Sequence, residues 1–404
     1  MILKETLAEV VKSQSEYILN SDYGTKRDET DRINIPIKFT TVISGIRRSG
    51  KSTLLRQLTE RFKRFNYLNF EDVRVFDFDL TDFRRLEEVF SEFSNAKTYF
   101  FDEIQNVPNW ERYVRTLVDK NKRVIITGSN ASLLSREIGG KLTGRQISYE
   151  LFPFSYNEYL AFSQRKRSIK SFESYFLNGG FPEYLKNNNV MILQELLNDI
   201  IARDIIVRYN LRNAKVVKDV ALYLISNVGK EFTFQRLRKL YQLGSVNSII
   251  NLLKYYEESY LLFSVSQFDY SFRKQIVNPK KIYAIDTGFI RANSVSFSQD
   301  NGRLLENIVF LQFKRKRNEV FYFRQNNECD FITRNAKQEL HAYQVCYKLV
   351  EENKDREING LLDALNYLKL KSGLIITYNQ QDEFDINDKK ITVIPVWKWL
   401  LMYN

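Results

Sequence analysis

The sequence predicts an α/β fold, in which a mostly parallel sheet is covered by helices on both faces and is followed by helical and mixed α/β segments. Two observations predict this fold. Between residues 39 and 151, short apolar runs alternate with stretches of helical periodicity, a pattern typical of strands buried on both sides. The first of these strands also leads into a turn that contains two glycines, and a helix follows directly.

The elements of this first region follow one another in regular order. We expect strands at 39–44, 65–70, 98–102, 123–127 and 146–151. We expect helices at 51–63, 83–93, 110–119 and 131–137. Because each strand is joined to the next through a helix, the strands are predicted to lie parallel.

Length, charge and composition limit the classes of protein to consider. A chain of 404 residues exceeds the roughly 100 to 200 residues of one domain. Its net charge of +12 favours an anionic partner such as nucleic acid, nucleotide or acidic membrane. The single histidine, His341, excludes sites built from several imidazoles. Cys329 and Cys346 are too few for a disulfide framework, and we expect both to be inert core residues in a reducing compartment.

The amino terminus predicts the location. Residues 1–19 alternate charged and apolar residues at helical spacing, without the apolar core of a signal peptide. No run approaches the roughly 18 apolar residues of a membrane span. We therefore expect a cytoplasmic protein without a membrane partner.

Residues 45–53, GIRRSGKST, carry the clearest motif. G-x-x-x-x-G-K-S between a strand and a helix is a P-loop, in which backbone N–H groups and the helix amino terminus bind polyphosphate oxygens. Lys51 is expected to reach the β and γ phosphates, and Ser52 to offer its hydroxyl to Mg²⁺. The sequence therefore predicts an ATP site formed by Gly45, Ile46, Arg47, Arg48, Ser49, Gly50, Lys51, Ser52 and Thr53.

A second motif supplies the carboxylates that hydrolysis needs. Residues 97–103, KTYFFDE, form a buried strand that ends in two acids. We expect Asp102 to hold the magnesium ion and Glu103 to polarise the attacking water.

Two further polar residues are candidates for this site. Asn130 follows the strand at 123–127, at the expected ligand edge of the sheet, where it is either a sensor of the γ phosphate or a turn residue. Arg145 precedes the last strand. It is either an arginine finger, acting on its own or a neighbouring nucleotide, or a surface arginine. The chain lacks an N-K-x-D segment, which disfavours a GTPase and leaves an AAA-like ATPase.

The order of the motifs resembles a family of bacterial and archaeal AAA-superfamily ATPases with a C-terminal domain of unknown function. The resemblance rests on YLNFED, FFDEIQNVPNWE, ITGSNASLL, LTGR, LFPFSYNEYL, GGFPEYL and YAIDTGF, which are spread over residues 67–289. It implies an ATP-binding core, a winged-helix segment and a restriction-endonuclease-like terminal domain.

The remainder divides into three predicted segments after an ATPase core at 1–154. Residues 155–210 lack strand signals and are expected to form a helical lid. Residues 211–270 contain three helices and a strand, as a winged helix does, with 245–255 as the helix that would enter a major groove. That helix offers only a small polar set for a duplex-DNA partner, so a protein partner remains the alternative: Asn247, Ser248, Asn251 and Lys254.

Residues 271–404 form the fourth segment, whose nuclease-like fold is implied by the resemblance. Glu306 and Asp330 match that family's metal-binding acids. Gln344 stands where a carboxylate is expected, Cys346 stands where a lysine is expected, and Lys348 is a potential substitute two residues on. We therefore expect no nuclease activity. The sequence as a whole predicts a Mg²⁺-dependent ATPase that acts as a switch or motor; the alternatives are a nucleotide-gated DNA-binding or signalling scaffold and an ATP-regulated nuclease.

Overall fold

The structure is a computed structural model that describes residues 1–131, 144–296 and 300–403. The chain divides into two compact units, Met1–Phe152 and Pro153–Asn404. Residues 132–137 of the helix predicted at 131–137 and the first two residues of LTGR lie outside the described residues.

The amino-terminal unit contains one parallel sheet. Its strands are β1 (Thr40–Ser44), β2 (Asn66–Asn69), β3 (Thr98–Asp102), β4 (Arg123–Gly128) and β5 (Gln146–Glu150). Its described helices are α1 (Lys4–Asn20), α2 (Lys51–Thr59), α3 (Asp82–Phe93) and α4 (Trp110–Asp119), with 3-10 turns at Val73–Val75 and Ile104–Asn106. The strand order is β2-β3-β4-β1-β5, and every pair is parallel. The predicted P-loop type of α/β fold is confirmed.

Apolar side chains cover both faces of this sheet, which is why its strands read as continuous apolar runs. One face packs against α1, α3 and α4, through residues such as Val10, Leu86 and Val114. The other face packs against α2, through Leu54, Leu55 and Leu58.

One predicted helix is shorter than expected. The pattern predicts a helix over 51–63, but α2 ends at Thr59. The chain turns there, with the Phe62 N–H donating to the Thr59 carbonyl at 2.9 Å. The turn brings Phe62 and Phe65 against Phe100, with ring centroids 5.9 and 5.7 Å apart. Burial of these rings outweighs continuation of the helix.

The carboxyl-terminal unit begins with helices, as predicted. They are α5 (Tyr156–Ser163), α6 (Ile169–Asn178), α7 (Pro182–Asn187), α8 (Met191–Asp199), a π-helical segment (Ile200–Val207), α9 (Ala214–Ile225), α10 (Phe234–Leu240) and α11 (Val246–Glu258). The later helices are α12 (Phe272–Val277), α13 (Thr287–Asn293), α14 (Asn301–Arg315), α15 (Glu351–Tyr367) and α16 (Val396–Met402).

A mixed sheet runs through most of this unit. Its strands are β6 (Glu231–Phe232), β7 (Leu262–Gln267), β8 (Lys280–Ala284), β9 (Glu319–Arg324), β10 (Glu328–Arg334), β11 (Leu340–Cys346), β12 (Ser372–Thr377), β13 (Asp382–Ile386) and β14 (Lys389–Pro395). Their order is β13-β14-β12-β11-β10-β9-β7-β8-β6. Because β7 pairs with β9, one sheet joins the segment after α11 to the terminal segment.

A buried carboxylate fastens two loops of this unit together. Asp286 accepts the Gly180 N–H at 2.7 Å and the Phe289 N–H at 2.9 Å. A Cβ atom at Gly179 would lie 2.0 Å from the Asp286 Oδ1 atom. These contacts require glycine at residue 179.

Within the described ranges, every helix is too short or too polar to cross a membrane.

Candidate nucleotide site

The turn between β1 and α2 has a backbone path that favours its two glycines. Gly50 has φ 94°, a left-handed conformation that side chains disfavour. At Gly45, an added Cβ atom would lie 2.1 Å from the Leu151 carbonyl oxygen, because the Leu151 N–H donates to the Ser44 carbonyl at 2.7 Å. The first glycine of the motif therefore serves packing against the chain beyond β5.

Lys51 lies buried at the centre of the turn. Its Nζ donates to the carbonyls of Gly45 at 3.1 Å and Ile46 at 3.2 Å. The same atom lies 3.4 Å from the Glu103 Oε1 atom. The predicted P-loop lysine and the predicted catalytic carboxylate are thus brought together by the fold.

Asp102 ends β3 and is fully buried. Thr127, at the end of β4, donates its hydroxyl to one Asp102 oxygen, and Tyr67 donates to the other at 3.3 Å. Burial and the nearby Glu103 charge raise the pKa of Asp102, against the opposing hydrogen bonds from Ser52 and Thr127. Ser52 and Asp102, the two predicted metal ligands, therefore contact each other.

Glu103 has an unusual backbone conformation for a non-glycine residue, with φ 52°. Its N–H donates to the Thr127 hydroxyl oxygen at 3.0 Å. Burial raises its pKa, but the Lys51 ammonium, the Gln105 amide and the Arg47 guanidinium outweigh burial and lower it. Glu103 is thus an ionised carboxylate in a strained position, and strain of this kind tends to occur at functional sites.

Asn130 lies two residues beyond β4 and is completely buried. Because β4 lies between β1 and β3, the residues that follow it lie at the same edge of the sheet as the P-loop and Asp102. The other predicted residues of the turn remain around Lys51: Ser49 is buried, Thr53 lies in the first turn of α2, Arg48 has φ 60°, and Arg47 pairs with Glu71 at 3.2 Å.

Arg145 lies elsewhere. It immediately precedes β5, at the amino-terminal edge of the sheet, and its Nη1 donates to Asp119 at 2.9 Å. A strand of this length separates the two edges by roughly 17 Å, so Arg145 cannot reach the P-loop of its own chain. An arginine-finger role would have to act on a neighbouring chain.

Arg27 is a buried contact of the P-loop that sequence reasoning missed. Its Nη1 donates to the Ser49 carbonyl at 2.6 Å, and its Nη2 donates to the Phe152 carbonyl at 2.7 Å. Only 3 % of the residue is exposed. It lies in an irregular segment with no periodic pattern, so nothing in the sequence distinguishes it from a surface arginine.

The segment that carries Arg27 also runs along α2. Gln57 donates to the carbonyls of Tyr23 and Thr25 at 2.8 and 2.9 Å. Arg61 donates to the Ile33 carbonyl at 2.7 Å. The P-loop helix is therefore held on its outer side by the chain that precedes β1.

A cavity of about 590 Å³ borders the first turn of α2. It lies between α1, α2 and the end of β2, and most of the residues that line it are of polar types. The residues that form it include Gln14, Tyr17, Ser52, Thr53, Arg56, Asn69 and Asp72.

The residues present fit a magnesium ion bound together with phosphates. Mg²⁺ in such sites takes one or two protein oxygens, with phosphates and waters completing the shell. The Ser52 hydroxyl would bind the ion, and Asp102 would hold it through the ion's water shell. Among the described residues no group of three or more His, Cys, Asp or Glu forms a metal site, and a phosphate-bound ion needs none.

The polar residues of the predicted DNA-binding helix are solvent-facing. Asn247, Ser248, Asn251 and Lys254 are all exposed on α11. The preceding helix, α10, adds exposed Arg236 and Lys239, which sequence reasoning did not consider.

The chain matches known families along most of its length. The family model of the AAA domain matches residues 38–160. Two domains of unknown function, DUF8612 and DUF4143, match residues 169–300 and 301–399. These matches do not confirm the restriction-endonuclease-like fold predicted for the terminal segment.

Curated relatives span nearly the whole chain. An uncharacterized protein of Methanocaldococcus jannaschii is 36% identical, covering 91% of this chain and 89% of its own length. An uncharacterized protein of Haemophilus influenzae is 32% identical, covering 90% of this chain and 94% of its own length.

Solved structures give distant matches. The replication initiator DnaA bound to AMPPCP and single-stranded DNA is 16% identical and covers 62% of this chain and 86% of its own, with a TM-score of 0.26. PCH-2 of C. elegans is 10% identical and covers 62% and 69%, with a TM-score of 0.22. Both TM-scores are too low to indicate a shared overall architecture.

Proposed function

The chain belongs to a family of bacterial and archaeal AAA-superfamily proteins that end in a domain of unknown function, and on this basis we propose that it is a Mg²⁺-dependent ATPase. The observation that carries the proposal is the buried pair of Lys51 and Glu103, 3.4 Å apart beside the P-loop. A lysine that binds phosphate and an ionised carboxylate that orients water are two of the groups by which P-loop proteins catalyse phosphoryl transfer to water.

The contacts of these residues suggest their order of action. Lys51 exchanges its bonds to the Gly45 and Ile46 carbonyls for oxygens of the β and γ phosphates. That exchange also weakens its hold on Glu103, whose carboxylate then accepts a proton from the attacking water. Thr127 keeps Asp102 and the Glu103 backbone in place, and Asn130 orients the water or the γ phosphate.

Ser52 and Asp102 would hold the magnesium ion, which supplies charge neutralisation for the phosphate oxygens. Hydrolysis would then change the conformation of the helical and winged-helix segments, as in a molecular switch or motor.

The substitution Glu103→Gln tests the catalytic assignment. It keeps the size and hydrogen-bonding capacity of the side chain and removes its basicity. We expect ATP affinity to remain within a few-fold of the parent and steady-state phosphate release to fall by roughly 10²- to 10⁴-fold. Glu88→Gln, on the exposed surface of α3, is the control and should have parental turnover. Equal phosphate release by Glu103→Gln and the parent would contradict the proposal.

A second function is favoured by the exposed groups of α10 and α11. We propose that these helices, with α9 and β7, form a winged helix within residues 211–270 that binds duplex DNA. Arg236, Lys239 and Lys254 provide cations for phosphates, although Lys254 also pairs with Glu258 at 3.6 Å. The alternative partner for the same surface is another protein.

Salt dependence separates these partners. DNA binding that releases counterions weakens steeply as salt increases. We expect each of Arg236→Ala and Lys239→Ala to reduce the slope of log affinity against log salt concentration by about one unit, because one fewer counterion is released on binding. Binding that is absent at low salt, or that does not depend on salt, would remove DNA from the proposal. ATPase assays with and without DNA then show whether the two functions are coupled.

A further inference from the structure

Four ionisable side chains meet inside the carboxyl-terminal unit. Lys281 of β8 is 2 % exposed, and its Nζ lies 2.9 Å from Glu306 Oε1 on α14. The same nitrogen lies 3.1 Å from Asp330 Oδ1 and 2.7 Å from Glu328 Oε1, both on β10. Three carboxylates thus surround one ammonium group.

Carboxylate oxygens surround the ammonium group of Lys281. A lysine ammonium has three N–H donors and no acceptor. Glu306, Glu328 and Asp330 provide three acceptor oxygens within 3.1 Å of it. Burial lowers the pKa of Lys281, but the surrounding negative charges, led by Glu306, outweigh burial and raise it well above its usual value. Lys281 is therefore a charged group that is hydrogen-bonded to Glu306 and Asp330 and paired with Glu328.

The cluster contains both acids that sequence reasoning selected as metal ligands, Glu306 and Asp330. A magnesium ion in this place would need their oxygens at roughly 2.0 to 2.1 Å, but the ammonium already occupies the position between them. The Gln344 Oε1 atom, the amide atom that could bind a cation, accepts the Asp330 N–H at 3.3 Å, and its Nε2 donates to Glu357 at 2.6 Å. The residues present therefore do not fit a divalent cation while Lys281 remains in place.

The residues expected to replace a catalytic lysine are not in the cluster. Cys346 is buried and its Sγ donates to the Lys348 carbonyl at 3.2 Å. The Lys348 side chain is exposed to solvent. The positive charge is supplied instead by β8, 49 residues before Asp330 in the sequence.

We propose that Lys281 is a built-in cation that takes the place of a metal ion and closes the Glu306–Glu328–Asp330 cluster to divalent cations. The terminal segment therefore does not cleave nucleic acid by a metal-dependent route. The same ammonium ties β8, in the segment matched at 169–300, to α14 and β10, in the segment matched at 301–399. Its role is to hold these two segments together.

Mn²⁺ binding to the nucleotide-free protein tests this proposal, with electron paramagnetic resonance measuring the free ion. We expect no saturable site at the cluster in the parent. Lys281→Ala should gain one saturable site that the parent lacks. Adding Asp330→Asn to Lys281→Ala should remove that site. Lys280→Ala is the matched control, because Lys280 bonds instead to Ser266 at 2.8 Å, and it should gain nothing. All proteins in this comparison, the parent included, carry Ser52→Ala, which removes the P-loop ligand from the measurement.

Thermal unfolding provides the second readout. Lys281→Ala removes the ammonium group that all three acids contact and leaves Glu328 with its longer contact to Arg324 at 3.8 Å. The variant should therefore melt below the parent, and Mn²⁺ should raise its melting temperature but not that of the parent. A folded Lys281→Ala protein that gains no Mn²⁺ site would overturn the proposal.

If Lys281→Ala does not fold, the parent still decides the question. A parental Mn²⁺ site that is lost in Asp330→Asn, or plasmid nicking by the parent that is lost in the same variant, would show that the cluster is open to metal. A parent that has neither an Mn²⁺ site nor a nicking activity that depends on Asp330 supports the proposal that the cluster excludes divalent cations.

Discussion

Arg27 should be as important for ATP binding as a residue of the P-loop motif itself. Its guanidinium donates to the carbonyls of Ser49 and Phe152 and is almost fully buried. Arg27→Ala removes both bonds and leaves two carbonyl groups to find new partners. Hydrogen bonds to charged groups contribute about 1.5 to 3 kcal/mol each, so we expect a loss of about 3 kcal/mol or more in the stability of the amino-terminal unit.

Part of this loss should be visible as weaker nucleotide binding. If about 1.4 kcal/mol of the lost free energy stabilises Ser49 in the conformation that binds ATP, the substitution raises the Kd for ATP about tenfold. In a unit of this size, a loss of about 3 kcal/mol lowers the melting temperature by roughly 6 to 12 °C. Titration with a fluorescent ATP analogue and scanning calorimetry measure the two effects.

Arg32→Ala is the matched control, since Arg32 lies in the same segment but pairs with Glu29 at 3.3 Å on the exposed surface. Such pairs contribute about 0 to 1 kcal/mol, and the control should bind ATP like the parent. The reasoning is refuted if Arg27→Ala has both the parental Kd and the parental melting temperature.

Two further substitutions test packing that the structure reveals. Gly45→Ala places a Cβ atom 2.1 Å from the Leu151 carbonyl oxygen, and calorimetry should find the amino-terminal unit less stable by about 1 to 3 kcal/mol; Gly244→Ala, which meets no atom within 4 Å, should be neutral. Burial raises the pKa of Asp286 from 3.8 to about 6. Because the folded state then binds the extra proton, stability should fall by roughly 3 kcal/mol as pH rises from about 4 to about 6. Asp286→Asn should lack this pH dependence in melting experiments, and an unchanged dependence would rule out Asp286 as its source.

The candidate nucleotide site was predictable because its chemistry is local in the sequence. The residues of the P-loop are contiguous, and the strand that holds Asp102 is a short apolar run ending in two acids. In a parallel sheet, the carboxyl ends of neighbouring strands lie at one edge, so local patterns were sufficient to bring Asn130 to the same place. Arg145 was harder to place, because the residue before a strand lies at the opposite edge.

Lys281 was not predictable by the same reasoning. Its partners come from α14 and β10, and no spacing rule connects them to β8. In the sequence it is one of two adjacent lysines, Lys280 and Lys281, a pattern that usually marks a solvated surface. Because successive side chains of a strand point to opposite faces, one of the two faces the buried acids. Only the pairing of β8 in the sheet shows which one.

The loops around Asp286 show how a family motif can arise from packing alone. GGFPEYL and YAIDTGF identify the family, but 106 residues separate Gly180 from Asp286, and each motif by itself offers no chemistry. The contact between the two motifs explains the residues in each. The Asp286 carboxylate in YAIDTGF accepts two backbone N–H groups, and Gly179 in GGFPEYL leaves the space that a carboxylate oxygen fills. The hydrogen bonds of this buried side chain connect the two loops. Loss of activity in a Gly179 or Asp286 variant would therefore indicate loss of this clamp, and melting temperature must be measured before such a residue is assigned to catalysis.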